Sequence, residues 1–140
     1  MTDAQLIKGV TIDVSPDFSD ARGNLSARQV GNGLPFTPKR LFFITDVPEN
    51  TKRGDHAHKE CHQLVLCLNG QVDCVVDNGV ERTRYCLNSR DTALHLPPMI
   101  WGIQENYSAG AILLVLASHE FDPDDYIRDY EEFLALSSKR

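Results

Sequence analysis

The chain has 140 residues, 41% of them hydrophobic and 24% charged, enough to bury one core and too few for two. Its formal charge of −6 argues against a nucleic-acid backbone or an anionic membrane as main partner, since both select basic surfaces. No apolar run reaches the roughly 18 residues needed to cross a bilayer, and Met1 to Lys8 carries no signal-like segment, so a cytoplasmic location is expected.

From about residue 9 to 118, short apolar or alternating runs are broken by Gly, Pro, Asn and Asp, the pattern of an antiparallel sandwich or barrel. Strands are predicted at 9–14, 24–30, 39–45, 62–68, 71–77, 81–87, 92–96, 100–104 and 111–117. Asn69-Gly70 readily adopts positive φ, so Leu64 to Leu68 and Val72 to Val76 are expected to pair as a hairpin. Asp77-Asn78-Gly79 turns the chain again. The Leu64 strand is apolar throughout, which suits a strand covered on both faces, one of them by a subunit partner.

Near the end the pattern changes. Asp122 is a helix cap, Pro123 fits the first position, Asp124 and Asp125 suit the positive end of the dipole, and Ile127, Tyr130 and Leu134 follow at helical spacing, predicting one helix over 123–136. The whole chain, 1–140, reads as a single domain without repeat or linker. Cys61, Cys67, Cys74 and Cys86 form no C-x-x-C pair; Cys67 and Cys74 sit among Val and Leu and read as small core residues.

The chemistry concentrates at Arg53-Gly54-Asp55-His56-Ala57-His58. If the segment is extended, both imidazoles share a face about 6–7 Å apart along the strand, and both exchange protons near neutrality. Arg53, Lys59, Arg22 and Arg40 bring cations to one end of the barrel, and guanidinium forks suit diphosphate oxygens. Arg128 is a further candidate for a phosphate or a surface ion pair. Trp101 and Phe121 suit either a pocket wall against a base or sugar, or the core.

The run H-x-H-x4-Q-x6-G from His56 through Gln63 to Gly70 resembles the first motif of the cupin superfamily, and Pro97 to Asn106 can be laid on the second. Where metal-binding members have a Glu ligand this chain has Gln63, and where they have a His ligand it has Gly102. Two of four ligands are thus missing, and no metal is expected. What remains is an imidazole pair able to move a proton beside a carbonyl.

Asp20 to Leu25, Arg53 to Lys59, Val65 to Gly70, Leu114 to Ser118 and Asp125 to Tyr130 together resemble the dTDP-4-keto-6-deoxyglucose 3,4-ketoisomerase family over nearly the whole chain. The resemblance implies an all-β cupin-type antiparallel barrel or jelly roll with one C-terminal helix, a homodimer, no cofactor and a dTDP-linked keto-sugar substrate. It also implies that His56 and His58 are the acid-base residues, while Arg22, Arg40, Arg53, Lys59, Gln63, Trp101 and Arg128 are substrate-binding candidates on residue type and position. Phe42-Phe43 stands where several members carry Tyr-Tyr, so any role of that hydroxyl is absent or filled by another group. The two other readings are a metal-dependent cupin enzyme and a non-catalytic sugar-nucleotide module.

Overall fold

A computed structural model describes residues 6–139; Met1–Gln5 and Arg140, the ends of the expected domain, lie outside the described residues. In chain order the strands are β1 (Thr11–Val14), β2 (Asp17–Asp20), β3 (Gly23–Ser26), β4 (Gln29–Val30), β5 (Gly33–Leu34), β6 (Arg40–Ile44) and β7 (Arg53–His58). They continue as β8 (Gln63–Asn69), β9 (Val72–Asp77), β10 (Arg82–Leu87), β11 (Thr92–Leu96), β12 (Trp101–Glu105), β13 (Ile112–Ala117) and β14 (Tyr126–Ile127), and helix α1 (Tyr130–Ser137) follows.

Two five-stranded antiparallel sheets form the barrel, in the orders β1-β11-β8-β13-β6 and β10-β9-β12-β7-β14. Alternation along each strand sends one set of side chains between the sheets. Val65 and Cys67 of β8, Leu113 and Val115 of β13, Val72, Cys74 and Val76 of β9, and Leu94 of β11 meet there as the main core. The opposite set serves the outer layers. On the first sheet Leu64 and Leu66 lie under Leu34 and Phe36, so the continuous apolar run of β8 is covered on both faces by its own chain. On the second, Ala57, Trp101, Ile103 and Ile127 are sealed by Phe133 of α1.

Three expectations are corrected. The Leu64 and Val72 strands do not form a hairpin: β8 pairs with β11 and β13, while β9 pairs with β10 and β12. Gly70 does turn at φ 73°, but the turn carries the chain from one sheet to the other. The expected helix over 123–136 is divided: Asp122 caps only the 3-10 turn Pro123–Asp125, Ile127 joins β14 beside β7, and α1 begins later with Asp129 as its cap. Finally, the strand expected over 24–30 is broken into β3 and β4, and β3 forms an exposed hairpin with β2.

Candidate active site

One end of the space between the sheets stays open as a cavity of about 460 Å³. Arg40, Phe42 and Ile44 enter from β6, Gln63 and Val65 from β8, Arg53 and His56 from β7, Gly102 and Gln104 from β12, and Tyr126 and Arg128 from the C-terminal segment. Three guanidiniums line it and, among the described residues, no carboxylate does. A protein of net charge −6 therefore keeps a positive interior, suited to an anionic ligand.

His56 lines this cavity, and His58 lies against it with ring centroids 5.0 Å apart at 81°. Burial, the largest influence, pushes the His56 imidazole down to about 4, and the nearby His58 and Arg128 act the same way while the Gly54 backbone opposes them. His56 is thus neutral, and able to accept a proton, at pH 7. His58 is also lowered by burial, offset in part by Asp125.

Asp125 Oδ2 lies 3.0 Å from His58 Nδ1, and the same carboxylate accepts hydrogen bonds from the backbone N–H of Glu60 (2.7 Å) and Cys61 (3.3 Å). An ionised carboxylate can only accept, so it holds the proton on Nδ1 and leaves Nε2 as the atom of His58 with a free lone pair. That Nε2 is buried without a hydrogen-bond partner. The Tyr126 ring packs on both imidazoles, at 4.9 Å from His56 and 4.4 Å from His58, and its hydroxyl accepts from Arg40 Nη1 at 3.4 Å. His58, Cys61 and Asp125 also have potential ligand atoms within 4.8 Å of one another. The Asp125 oxygens there are already occupied by the three donors just named.

A family model described as "FdtA: WxcM-like, C-terminal" matches residues 8–138. The chain belongs to this family of sugar-nucleotide 3,4-ketoisomerases. It is 36% identical over 120 residues to the TDP-4-oxo-6-deoxy-alpha-D-glucose-3,4-oxoisomerase of Aneurinibacillus thermoaerophilus, covering 86% of each chain. A variant of the 3,4-ketoisomerase QdtA from Thermoanaerobacterium thermosaccharolyticum, crystallised with TDP-4-keto-6-deoxyglucose, superimposes with a TM-score of 0.93 at 32% identity, over 96% of this chain and 98% of that one. The TDP-quinovose 3,4-ketoisomerase WlaRB of Campylobacter jejuni does so with a TM-score of 0.88 at 38% identity, over 92% and 99%. The protein is an isomerase.

Of the candidate site residues, Arg40, Arg53, His56, Gln63 and Arg128 meet at the cavity. Arg128 does so from the segment between β14 and α1, with its guanidinium 4.4 Å over the Tyr126 ring, and not from a helix. His58 stands one layer back. Three candidates are not brought there. Arg22 sits at the turn between β2 and β3, 91% exposed and paired with Asp20 at 2.7 Å. Lys59 is exposed and outside the cavity wall. Trp101 is 3% exposed in the outer layer of the second sheet, where its indole stacks edge-on to Tyr130, so it belongs to that core and not to the cavity wall.

Asp125, Tyr126 and Gln104 were not foreseen. Asp125 and Tyr126 lie in the Asp125 to Tyr130 segment that carries the family resemblance, but a helical reading of that segment hides their approach to β7. No local pattern distinguishes Gln104 from other polar strand residues. Phe42 lines the cavity and offers no hydroxyl, and the phenol at the cavity belongs to Tyr126.

Proposed function

We propose that the chain converts a dTDP-4-keto-6-deoxyhexose into its 3-keto isomer by histidine-mediated proton transfer through an enediol. The observation that carries this reading is a neutral imidazole facing a cavity ringed by three guanidiniums and free of carboxylates among the described residues. Relatives whose names specify TDP-keto-sugar isomerisation support the same substrate class.

His56 takes the proton from C3, and the C3–H electron pair forms the C3–C4 double bond as the C4 carbonyl oxygen becomes an enediolate. Arg53 stabilises that developing charge, and Arg40 and Arg128 hold the diphosphate. His58, fixed by Asp125, moves a proton from the C3 hydroxyl to the C4 oxygen. Protonation of C4 then leaves the carbonyl at C3. The change is redox-neutral, with each proton carried by an exchangeable imidazole, so no redox cofactor is required. The 3-keto product is the species that an amino-transfer step consumes to give a 3-amino-3,6-dideoxyhexose.

Incubation with the 4-keto sugar nucleotide in heavy water, followed by proton NMR, tests the reading. Deuterium appearing at C4 of a 3-keto product and at C3 of the remaining 4-keto substrate is the expected result, and the H4–H5 coupling of product formed in ordinary water identifies the epimer. Binding with no exchange makes the chain a sugar-nucleotide module. Activity abolished by chelator and restored by a stoichiometric metal makes it a metal-dependent enzyme.

We further propose a homodimer built on the outer face of the first sheet, where Leu41 and Phe43 of β6 remain 60% and 65% exposed. Light scattering on the double variant Leu41→Asp, Phe43→Asp is expected to give a monomer; an unchanged mass refutes this face.

A further inference from the structure

Residues two apart in a regular strand share a face, and residues three apart do not. On β12 this rule holds: Gly102 and Gln104 both line the cavity. On β7 it fails, because Arg53 and His56 both line it as well. The pairing shows how. His56 lies across from Gly102 and Arg53 across from Gln104, but Ile103 is paired with Gly54, so Asp55 is skipped. Asp55 is the extra residue of a β-bulge, a device that re-aims the side chains around it.

The bulge runs through the left-handed region, with φ of 80° at Gly54 and 62° at Asp55. Gly54 has no alternative there, since a Cβ would stand 2.7 Å from Gln104 Oε1 and 3.0 Å from the Gly102 carbonyl oxygen. Asp55 carries a side chain in that region and needs something to hold it. Its Oδ1 accepts from Trp101 Nε1 at 3.0 Å, and its Oδ2 faces Lys52 Nζ at 3.5 Å. Trp101 is itself immobilised, with its ring centroid 5.2 Å from Tyr130 and 5.5 Å from Phe133. Asp55 is half exposed and does not line the cavity.

We propose that Asp55 is a positioning residue: anchored by the buried Trp101 indole, it holds the bulge that turns Arg53 and His56 toward the same cavity. Removing the bulge shifts the alignment by one residue and, with Arg53 kept opposite Gln104, sends the His56 side chain to the outer face. The catalytic consequence rests on the roles of His56 and Arg53 given above, but the geometric claim does not.

The test compares Asp55→Asn, which keeps an acceptor and tolerates left-handed backbone, with Asp55→Val, which loses the acceptor and resists that backbone. Trp101→Phe removes the donor while keeping an aromatic ring. Isomerisation kinetics and the NMR titration of the His56 imidazole are read on the folded chain, with thermal melting as the control for folding. Asp55→Asn is expected to retain activity, with the His56 titration moving only slightly down as the Asp55 charge is lost. Asp55→Val is expected to lower kcat/KM by roughly tenfold to a hundredfold, with kcat falling because the His56 imidazole leaves the cavity. Trp101→Phe is expected to fall between the two.

In Asp55→Val the His56 titration is expected to rise from about 4 toward the ordinary imidazole value as the ring leaves its buried site. The sign is diagnostic, because His58 and Arg128 still hold the value down and loss of the Asp55 charge alone lowers it further. An unchanged titration in Asp55→Val overturns the proposal. A raised titration upholds it even if His56 proves not to be the carbon base.

Discussion

The chain contains two pairs of touching histidines, and they differ in what surrounds them. His56 and His58 meet edge to face beside three cavity-lining guanidiniums, with Asp125 fixing one ring nitrogen. His62 and His95 stack at 23°, with His62 Nδ1 and His95 Nε2 3.0 Å apart and Phe36 against both. In the second pair one ring donates to the other, which satisfies both nitrogens of the contact internally. No cavity-lining position belongs to it. In the first pair the third partner is a carboxylate, so the imidazoles keep lone pairs for an outside molecule. Spacing and residue type alone do not separate catalytic from structural histidines; their partners do.

Breaking the first pair gives the largest expected effect. His56→Asn should reduce deuterium exchange at C3 by roughly 10²- to 10⁴-fold, the range of general acid-base contributions, while His62→Asn leaves it within a few-fold. Equal losses in the two variants would erase the distinction. Next comes the carboxylate that sets the first pair apart: Asp125→Asn should lower kcat by roughly tenfold to a hundredfold, because a buried charge-assisted hydrogen bond is lost and the Nδ1 proton is no longer fixed. Since Asp125 raises the His58 value, the same change should move the His58 NMR titration further down.

Arg53→Ala should lower kcat by roughly tenfold through loss of the charge that stabilises the enediolate, with thermal stability preserved because Arg53 is exposed at the cavity mouth. The smallest effect separates the pairs by acid sensitivity. All four imidazoles are held below their ordinary value chiefly by burial. The unfolded chain therefore binds protons first as pH falls below about 6.5, and the native state loses stability from there downward, until for His56 the loss is complete below about 4. For His56 this is on the order of 3 kcal/mol, and denaturant melts across that window should show a shallower decline in His56→Asn. Replacing the half-buried His62 should change the slope less.

The barrel was legible because its strands are short apolar or alternating runs punctuated by turn residues, as in Leu113 to Ala117. What local chemistry left open was the destination of each turn. Asn69-Gly70 specifies a positive φ, and φ 73° at Gly70 agrees, yet nothing in the dipeptide says that the next strand joins the other sheet. Asp122 and Pro123 likewise act as a cap and first position, but Ile127 is drawn into pairing with Ala57 and ends the turn before a helix can grow.

The site shows the same division. His56, Gln63 and Gly102 could be placed from motif spacing, and all three line the cavity. Asp125 reaches His58 across 67 positions of sequence, and the bulge at Asp55 depends on an indole 46 positions away, so neither has a local signature. Trp101 invited a reading as a ligand wall because aromatic residues suit both pockets and cores. Arg22 was grouped with the cavity cations by charge alone, and Asp20 two residues earlier had already claimed it.

Asp125 also fastens two stretches of chain. By accepting from the Glu60 and Cys61 N–H groups as well as facing His58, it bolts the C-terminal segment to the bend after β7. The terminal segment thus serves as a latch: a chain lacking everything from Asp125 onward would leave the His58 ring without the contact that fixes its tautomer, while both sheets would retain every strand except β14.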